Sequence, residues 1–169
     1  KKLSSNALVL KASYGYYYQP PFYREFRDFS GNINTQIRAQ QSIHYTFTAD
    51  YNLKIWGRDF KMIGALYHKQ LNDLIPYEID NVRIRYYAKN NARGYASGFD
   101  FRMNGEFVKD IESWVSVSVM QTREDLKDDF YYRYTDTTGK PWYPGYSVVP
   151  VGDSVRYTPG YIPRPTDQR

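Results

Sequence analysis

The sequence predicts an all-β fold of antiparallel up-and-down strands, forming part of a transmembrane β-barrel with long extracellular loops. Three observations carry that expectation: long stretches in which apolar and polar residues alternate, connections that are by turns long and short, and an abundance of tyrosine, 19 of 169 residues. Tyrosine is compatible with two β architectures. Its amphipathic ring suits both a water–lipid boundary and a carbohydrate-binding sandwich. The first two observations therefore decide.

The clearest alternation runs over residues 42–54. Ile43, Tyr45, Phe47, Ala49, Tyr51 and Leu53 fall on one parity, and Ser42, His44, Thr46, Thr48, Asp50, Asn52 and Lys54 on the other. A period of two puts these sets on opposite faces of a strand. The stretch is longer than the ~5–6 residues of an ordinary strand and exceeds the ~9–11 that a tilted strand needs to cross hydrocarbon.

Before it, residues 8–18 place Leu8, Leu10, Ala12, Tyr14, Tyr16 and Tyr18 on one parity, with Lys11, Ser13 and Gly15 on the other, until Pro20 and Pro21 stop the strand. Residues 19–41 are polar, contain Gly31 and Asn32, and read as a long loop. After 42–54, a short link around Gly57 leads into 60–71, where alternation is weaker. A second long connection, 72–94, holds Pro76 and the run Arg83, Ile84, Arg85, Tyr86, Tyr87, which itself has the composition of a short strand. Residues 95–107 alternate again: Tyr95, Phe99, Phe101, Met103 and Phe107 against Ala96, Gly98, Asp100, Arg102, Asn104 and Glu106. A brief turn joins them to 114–123, where Val115, Val117 and Val119 alternate with Ser116 and Ser118. Residues 124–165 show no sustained period, so a third long loop is expected, well beyond the usual ~4–6 residue connection.

Up-and-down strands place successive links at opposite ends of the sheet. All long links then lie on one side and all short ones on the other, the asymmetry of outer-membrane barrels. Trp56 and Trp114 fall at the short-turn end, where an interfacial aromatic belt is expected.

Composition excludes other classes. With 41% hydrophobic residues the chain is apolar enough to fold. The absence of cysteine removes disulfides and thiolate metal sites. A net charge of +5 is spread along the chain without a basic stripe, so no nucleic-acid partner is expected. No apolar run reaches the ~18 residues of a transmembrane helix, and a mean hydropathy of -0.72 is compatible with strands that alternate. The segment Lys1, Lys2, Leu3 reads as the middle of a chain, and Thr166, Asp167, Gln168, Arg169 as the approach to a further strand, so a fragment is expected.

Several motifs carry a family resemblance. Ala12-Ser13-Tyr14-Gly15 followed by Gln19-Pro20-Pro21 resembles a late-barrel strand of TonB-dependent outer-membrane receptors. Residues 37–51 resemble the next family strand, and Asn90-Asn91-Ala92-Arg93-Gly94 with Ser97-Gly98-Phe99-Asp100 is similar to the family's small-residue approach and Gly-apolar-acidic strand. The wording is nearest to receptors of Bacteroidota and covers about residues 8–123. Ala39-Gln40 departs from the family's frequent Pro-Glu, and no plug domain or TonB-contacting segment is present. The resemblance implies about 22 strands, which five or six cannot close into a barrel.

By that resemblance the intact protein is an active transporter for a scarce or bulky solute in the outer membrane of a Gram-negative bacterium. It is not an enzyme and uses no cofactor. Its implied partners are outer-membrane lipid, the rest of the barrel and plug, the TonB energy-coupling complex, an unidentified solute and, in some members, a surface lipoprotein lid. Ile43, Tyr45, Phe47, Tyr51, Phe99, Phe101, Met103, Val115, Val117 and Val119 are expected to face lipid, and Asp50, Asp100, Arg102 and Glu106 the lumen. Solute-contact candidates on the outer loops are Arg24, Arg38, Arg83, Arg85, Tyr86, Tyr87, Tyr131, Tyr132, Trp142 and Tyr143, whose aromatic and guanidinium groups are good anchors, although the rings could equally pack the loops together. His44 and His68 lie on different strands without a cysteine nearby, so no metal site is expected. Glu124, Asp125, Asp128 and Asp129 lack the spacing of a calcium loop. No nucleophile elbow or phosphate loop is present. The alternative is a soluble, tyrosine-rich β-sandwich that binds glycan, with a small hydrolase a more distant third; in a sandwich the apolar faces interdigitate with a facing sheet.

Overall fold

The computed structural model describes residues 7–145, 147 and 151–163. Residues 1–3 and 166–169, expected to be internal to a longer chain, lie outside the described residues. The chain is all-β and every strand pair is antiparallel. Five long strands contain the five alternating stretches: β1 (Leu8–Gln19), β2 (Gln40–Ile55), β3 (Arg58–Leu74), β6 (Ala92–Val108) and β7 (Ile111–Leu126). The short hairpin β4 (Tyr77–Asp80) and β5 (Arg83–Tyr86) occupies the connection between β3 and β6. Beyond β7 come β8 (Tyr131–Asp136), β9 (Pro141–Trp142), β10 (Val151–Tyr157) and β11 (Ile162–Pro163).

The main sheet has the order β1-β2-β3-β6-β7-β11, so its first five strands are sequential meander neighbours apart from the inserted hairpin. Register keeps every parity in step. Ala12 faces Phe47, Phe47 faces Leu66, Leu66 faces Phe99 and Phe99 faces Val119. The neighbouring row runs Leu10, Ala49, Gly64, Phe101, Val117, and the one beyond it Leu8, Tyr51, Met62, Met103, Val115. One face is therefore a continuous apolar band five strands wide. The opposite face carries rows such as Lys11, Thr48, Ala65, Asp100, Ser118 and Val9, Asp50, Ile63, Arg102, Ser116.

The band is uncovered: Phe47, Leu66, Phe99 and Val119 remain 46, 56, 40 and 64% exposed. The buried apolar side chains are instead Phe60 within the sheet and Leu74, Ile75, Pro76, Ala88 and Ala92 at its long-connection end. Along its outer edge β1 has no strand partner among the described residues, and β7 has one only where Ile162 and Pro163 meet Glu124 and Arg123.

The short turns differ in kind. Trp56 and Gly57 both adopt positive φ (52° and 75°), which suits a two-residue turn that follows the strands' twist. At the β6–β7 turn Asp110 alone takes the left-handed conformation, and the ladder slips between Gly105 and Val108. Trp114 departs from the expected belt: it lies opposite Asn104, on the polar parity, with the Arg102 guanidinium 5.5 Å from its ring centroid. The count of residues through the turn, not proximity to it, fixes which face a side chain joins. Trp56 projects from the turn itself, 79% exposed.

The connection over 124–165 also departs from the loop expected there, because β8, β9 and β10 form a separate three-stranded sheet. β8 carries tyrosines on both parities, whereas β10 alternates, with Val151, Val155 and Tyr157 against Gly152, Ser154 and Arg156, over only seven residues and with Asp153 breaking the apolar side. Residue preference for strand, in Tyr131, Tyr132, Tyr134, Val151 and Val155, is the remaining signal.

Glycines seat aromatic rings across the main sheet. The Phe60 ring lies over Gly105 where a β-carbon would project, and meets Phe107 edge-on at 5.3 Å. Gly105→Val is expected to destabilise the sheet by about 1–3 kcal/mol through overpacking. Gly64→Val, whose β-carbon would meet only Phe99 at 3.9 Å, is expected to shift the urea midpoint far less; equal shifts would overturn this account of Gly105.

Candidate functional site

The long-connection end is where side chains converge. Asn90 fastens three segments there: its Nδ2 donates to the carbonyl oxygens of Arg38 (3.0 Å) and Asp73 (2.7 Å), while its Oδ1 accepts from the Arg38 N–H (2.7 Å). Arg38 also pairs with Asp73 at 2.8 Å. Asn34 Nδ2 donates to the Ala88 carbonyl, and buried Glu25 accepts from the Phe22 N–H and from Gln40 Nε2. Arg38, expected as a solute contact, is thus a brace between connections.

On this frame the 3-10 turn Tyr23–Phe26 and the β4–β5 hairpin enclose a cleft of about 220 Å³ lined by Tyr23, Arg24, Arg27, Asp28, Phe29, Ile84, Arg85 and Tyr86. Arg85 lies over the Phe29 ring at 4.8 Å and donates to Asp80 (3.2 Å) and to the Phe29 carbonyl (3.3 Å). Tyr87 meets the other side of this group, edge-on to Phe29 at 4.7 Å. Burial pushes the Tyr86 phenol up, helped by Glu25, and burial does the same for Tyr87, helped by Glu78. Asp28 is held below its ordinary range by hydrogen bonds, first from the Asn32 N–H.

Of the expected candidates, the structure gathers Arg24, Arg85 and Tyr86 around one cleft, with Tyr87 beside it. Arg83 stands apart, opposite Asp80 where the hairpin turns. Tyr131, Tyr132 and Trp142 belong to the second sheet. There the Arg133 guanidinium lies 4.0 Å from the Tyr157 ring centroid and donates to Tyr131 Oη (2.9 and 3.1 Å), while Arg156 lies 3.9 Å from the Phe130 centroid. Tyr134 packs edge-on to Trp142 at 6.0 Å. Tyr143 follows β9, its N–H bonded to Ser147 Oγ.

Sequence reasoning missed Arg27 and Phe29 in the cleft, and Arg133, Arg156 and Tyr157 in the sheet. Arginine interleaved with aromatic residues was the available signal, but these pairs form across strands and loops far apart in the chain. The charged residues expected in a lumen fall as follows. Asp50, Asp100 and Arg102 share the polar face, with Asp50 paired to Lys11 at 2.6 Å. Glu106 lies in the slipped part of the ladder, where its carbonyl accepts from Arg58 at 3.1 Å and alternation no longer fixes its face. His44 and His68 fall on opposite faces, bonded to Ser42 and Ser97 respectively at 2.7 Å. Among the described residues no cluster of histidine and carboxylate is arranged to hold a metal.

A second concavity, of about 760 Å³, is a shallow trough on the apolar face, lined by Phe47, Leu66, Phe99 and Val119 among others. It lacks any charged group to orient a solute, so the loop-end cleft is the better candidate. No known protein family, curated protein or solved structure matches this chain.

Two outcomes follow from these contacts. Asn90→Ala leaves backbone groups of Arg38 and Asp73 without partners, at a cost of about 1–3 kcal/mol, and is expected to speed limited proteolysis within 72–91; an unchanged cleavage rate would remove Asn90 from the role of clamp. Near it, Asn91 Oδ1 and Asp129 Oδ1 are buried without a hydrogen-bond partner, and burial, then the Asp125 carboxylate, raise the Asp129 pKa above its ordinary 3.8. A carboxyl whose pKa rises on folding withdraws stability as pH climbs past its unfolded value. Asp129→Asn is therefore expected to slow amide hydrogen exchange of residues 127–131 at pH 7, with the difference vanishing below pH 3.8. A slowing that persists in acid would refute the electrostatic cause.

Proposed function

We propose that this chain is part of the β-barrel of a TonB-dependent receptor of the Bacteroidota type, residing in the outer membrane of a Gram-negative bacterium and taking part in active uptake of a scarce or bulky solute. The observation that supports this most directly is the apolar band: continuous over five strands, in strict register, and covered by no other part of the described structure. Exposed apolar surface of that extent marks a lipid or protein contact.

The margins of the band fit the same reading. At its long-connection side a chain of rings runs across the sheet, from Tyr16 and Tyr14 to Tyr45, His68, Tyr95 and Tyr161, with successive centroids 5.2, 5.0, 6.2, 6.0 and 5.5 Å apart. Aromatic girdles border the lipid-facing band of outer-membrane barrels. Between Tyr45 and the Trp56 turn lie about 11 residues, which at ~3.4 Å each and a tilt of ~40° span roughly 29 Å, close to the ~30 Å thickness of hydrocarbon.

In this reading further strands pair with the open edges of β1 and β7, the plug and the TonB energy-coupling complex act through the rest of the receptor, and the polar face lines the lumen. The sandwich alternative needs a second sheet over the apolar band. The hairpin β4–β5 and the sheet β8–β10 leave that band exposed.

The test is where the full-length native protein fractionates, combined with heat-modifiable migration on a gel. An outer-membrane location with a heat-dependent shift is expected; a soluble, unshifted protein would overturn the proposal. Phe47→Arg, on the band, is expected to reduce the outer-membrane fraction at least tenfold, since a midplane Arg on the lipid face costs about 2–4 kcal/mol. Thr48→Arg, one residue on and facing the other way, is expected to be tolerated, and equal losses from both would argue against a lipid-facing band.

A further inference from the structure

We propose that the loop-end cleft between the turn Tyr23–Phe26 and the β4–β5 hairpin binds a tetrahedral oxyanion, the phosphate or sulfate group of a larger ligand. As the anion-recognition site of the solute this rests on the receptor reading, whereas the binding chemistry stands on the cleft itself.

Charge balance carries the inference. Three guanidinium groups line the cleft, from Arg24, Arg27 and Arg85, with Asp28 the only carboxylate among the lining residues. Asp28 is already engaged by its own loop: Oδ1 accepts the N–H groups of Ser30 and Asn32, each at 2.9 Å, and Oδ2 accepts from Asn32 Nδ2 at 3.2 Å. Arg85 is met by Asp80 at 3.2 Å. Among the described residues neither Arg24 nor Arg27 has a carboxylate within ion-pair distance; Arg27 donates only to Tyr23 Oη at 3.1 Å. The lining thus carries three arginines against the single charge of Asp28, and two of them, Arg24 and Arg27, are in no ion pair among the described residues.

Geometry and size narrow the ligand. Guanidinium forks match the oxygen spacing of phosphate and sulfate and bind them through paired hydrogen bonds. The Tyr86 phenol, neutral at physiological pH and with its pKa raised further by burial, adds a donor that does not repel an anion. At about 220 Å³ the cleft is smaller than the ~300–1,000 Å³ that encloses a whole small molecule. It therefore holds a charged head group while the rest of the ligand lies outside, against the exposed rings of Tyr23 and Phe29.

The test uses the purified full-length protein titrated with inorganic phosphate and with sulfate, followed by calorimetry at low ionic strength. Saturable binding is expected for both anions, weakened at least tenfold in the Arg24→Gln/Arg27→Gln double variant and unchanged in Arg83→Gln, which lies outside the cleft. Binding that is absent, or is retained in the double variant, overturns the proposal, provided the variant keeps the wild-type circular dichroism; a variant that loses it is replaced by the single change Arg24→Lys, expected to weaken phosphate at least threefold because the bidentate fork is lost, and phosphate affinity unchanged in Arg24→Lys overturns the proposal. Displacement of phosphate by glucose 6-phosphate, but not by phosphatidic acid vesicles, places the anion on a soluble ligand, and the reverse places it on a lipid; either displacement supports the cleft, and displacement by neither overturns it. Fractionation separates the two readings: a membrane protein without phosphate binding rejects the cleft alone, and a soluble protein that binds phosphate rejects the barrel alone.

Discussion

The register of the five long strands is the constraint on which everything else depends. Each strand is held to the next by an antiparallel backbone ladder with no slip from Leu8 to Gln19 against β2, and with slips elsewhere confined to the ends of the pairings. A shift of one residue in any pair would transfer the apolar parity of that strand to the polar face. Since each fully buried Leu, Val or Phe is worth about 1.5–3 kcal/mol relative to exposure, a band several rows deep left in water forgoes far more than the margin of stability of an ordinary domain. The small buried cluster at the long-connection end cannot replace it. The energetic core of this sheet has to be supplied by whatever the band contacts, which is why the sheet makes physical sense as a wall and poor sense as a free-standing body.

The two ends of the strands answer to different demands. At the turn end, Trp56 and Gly57 close β2 onto β3 with nothing to spare, and the strands are kept parallel to the ladder's own twist. At the other end the chain departs into connections that fold on themselves, and their backbone groups find partners through asparagine, glutamine and arginine side chains rather than a ladder. Asn90 is the centre of that arrangement, touching Arg38 and Asp73 at once. Because the clamp acts on the bases of the connections, it helps to set the 3-10 turn and the β4–β5 hairpin relative to each other, with the cleft between them.

Much of this was legible in the residues. A strand with one apolar and one polar face announces itself by period two, and residues 42–54 and 95–105 lie within β2 and β6 with their two parities on opposite faces, while 106 and 107 fall in the slipped part of the ladder. The weak alternation of 60–71 has a physical cause: Ile63, Ala65 and Leu71 sit on the polar parity between more polar strands, so the face is defined by neighbours rather than by β3 itself. The sheet β8–β10 was illegible because β8 has tyrosines on both parities and the alternation of β10 is short and broken by Asp153. Trp114 shows a third limit. Its place near a turn suggested a belt, but whether it joins the band depends on the exact register through an irregular ladder, and the structure pairs it with Asn104 on the other face. The cleft was half legible: Arg24, Arg85 and Tyr86 stood out as types, while Arg27 and Phe29 acquire meaning only once the hairpin folds back onto the 3-10 turn.

The distribution of charge separates the wall from its loops. On the polar face of the sheet, charges of both signs alternate along and across the strands: Lys11 meets Asp50, Arg102 leans on Trp114 and bonds Asn104, and Asp100 lies in the same row as Lys11. Charges of opposite sign at this spacing screen one another, and beyond a Debye length of about 8–10 Å little of their field remains. The loop end is different, because folding gathers three arginines around a cleft whose lining holds one carboxylate, Asp28. A field that survives to a distance must come from such an uncompensated cluster. The excess of positive charge therefore lies at the loop end, while the sheet keeps the alternation that its register demands.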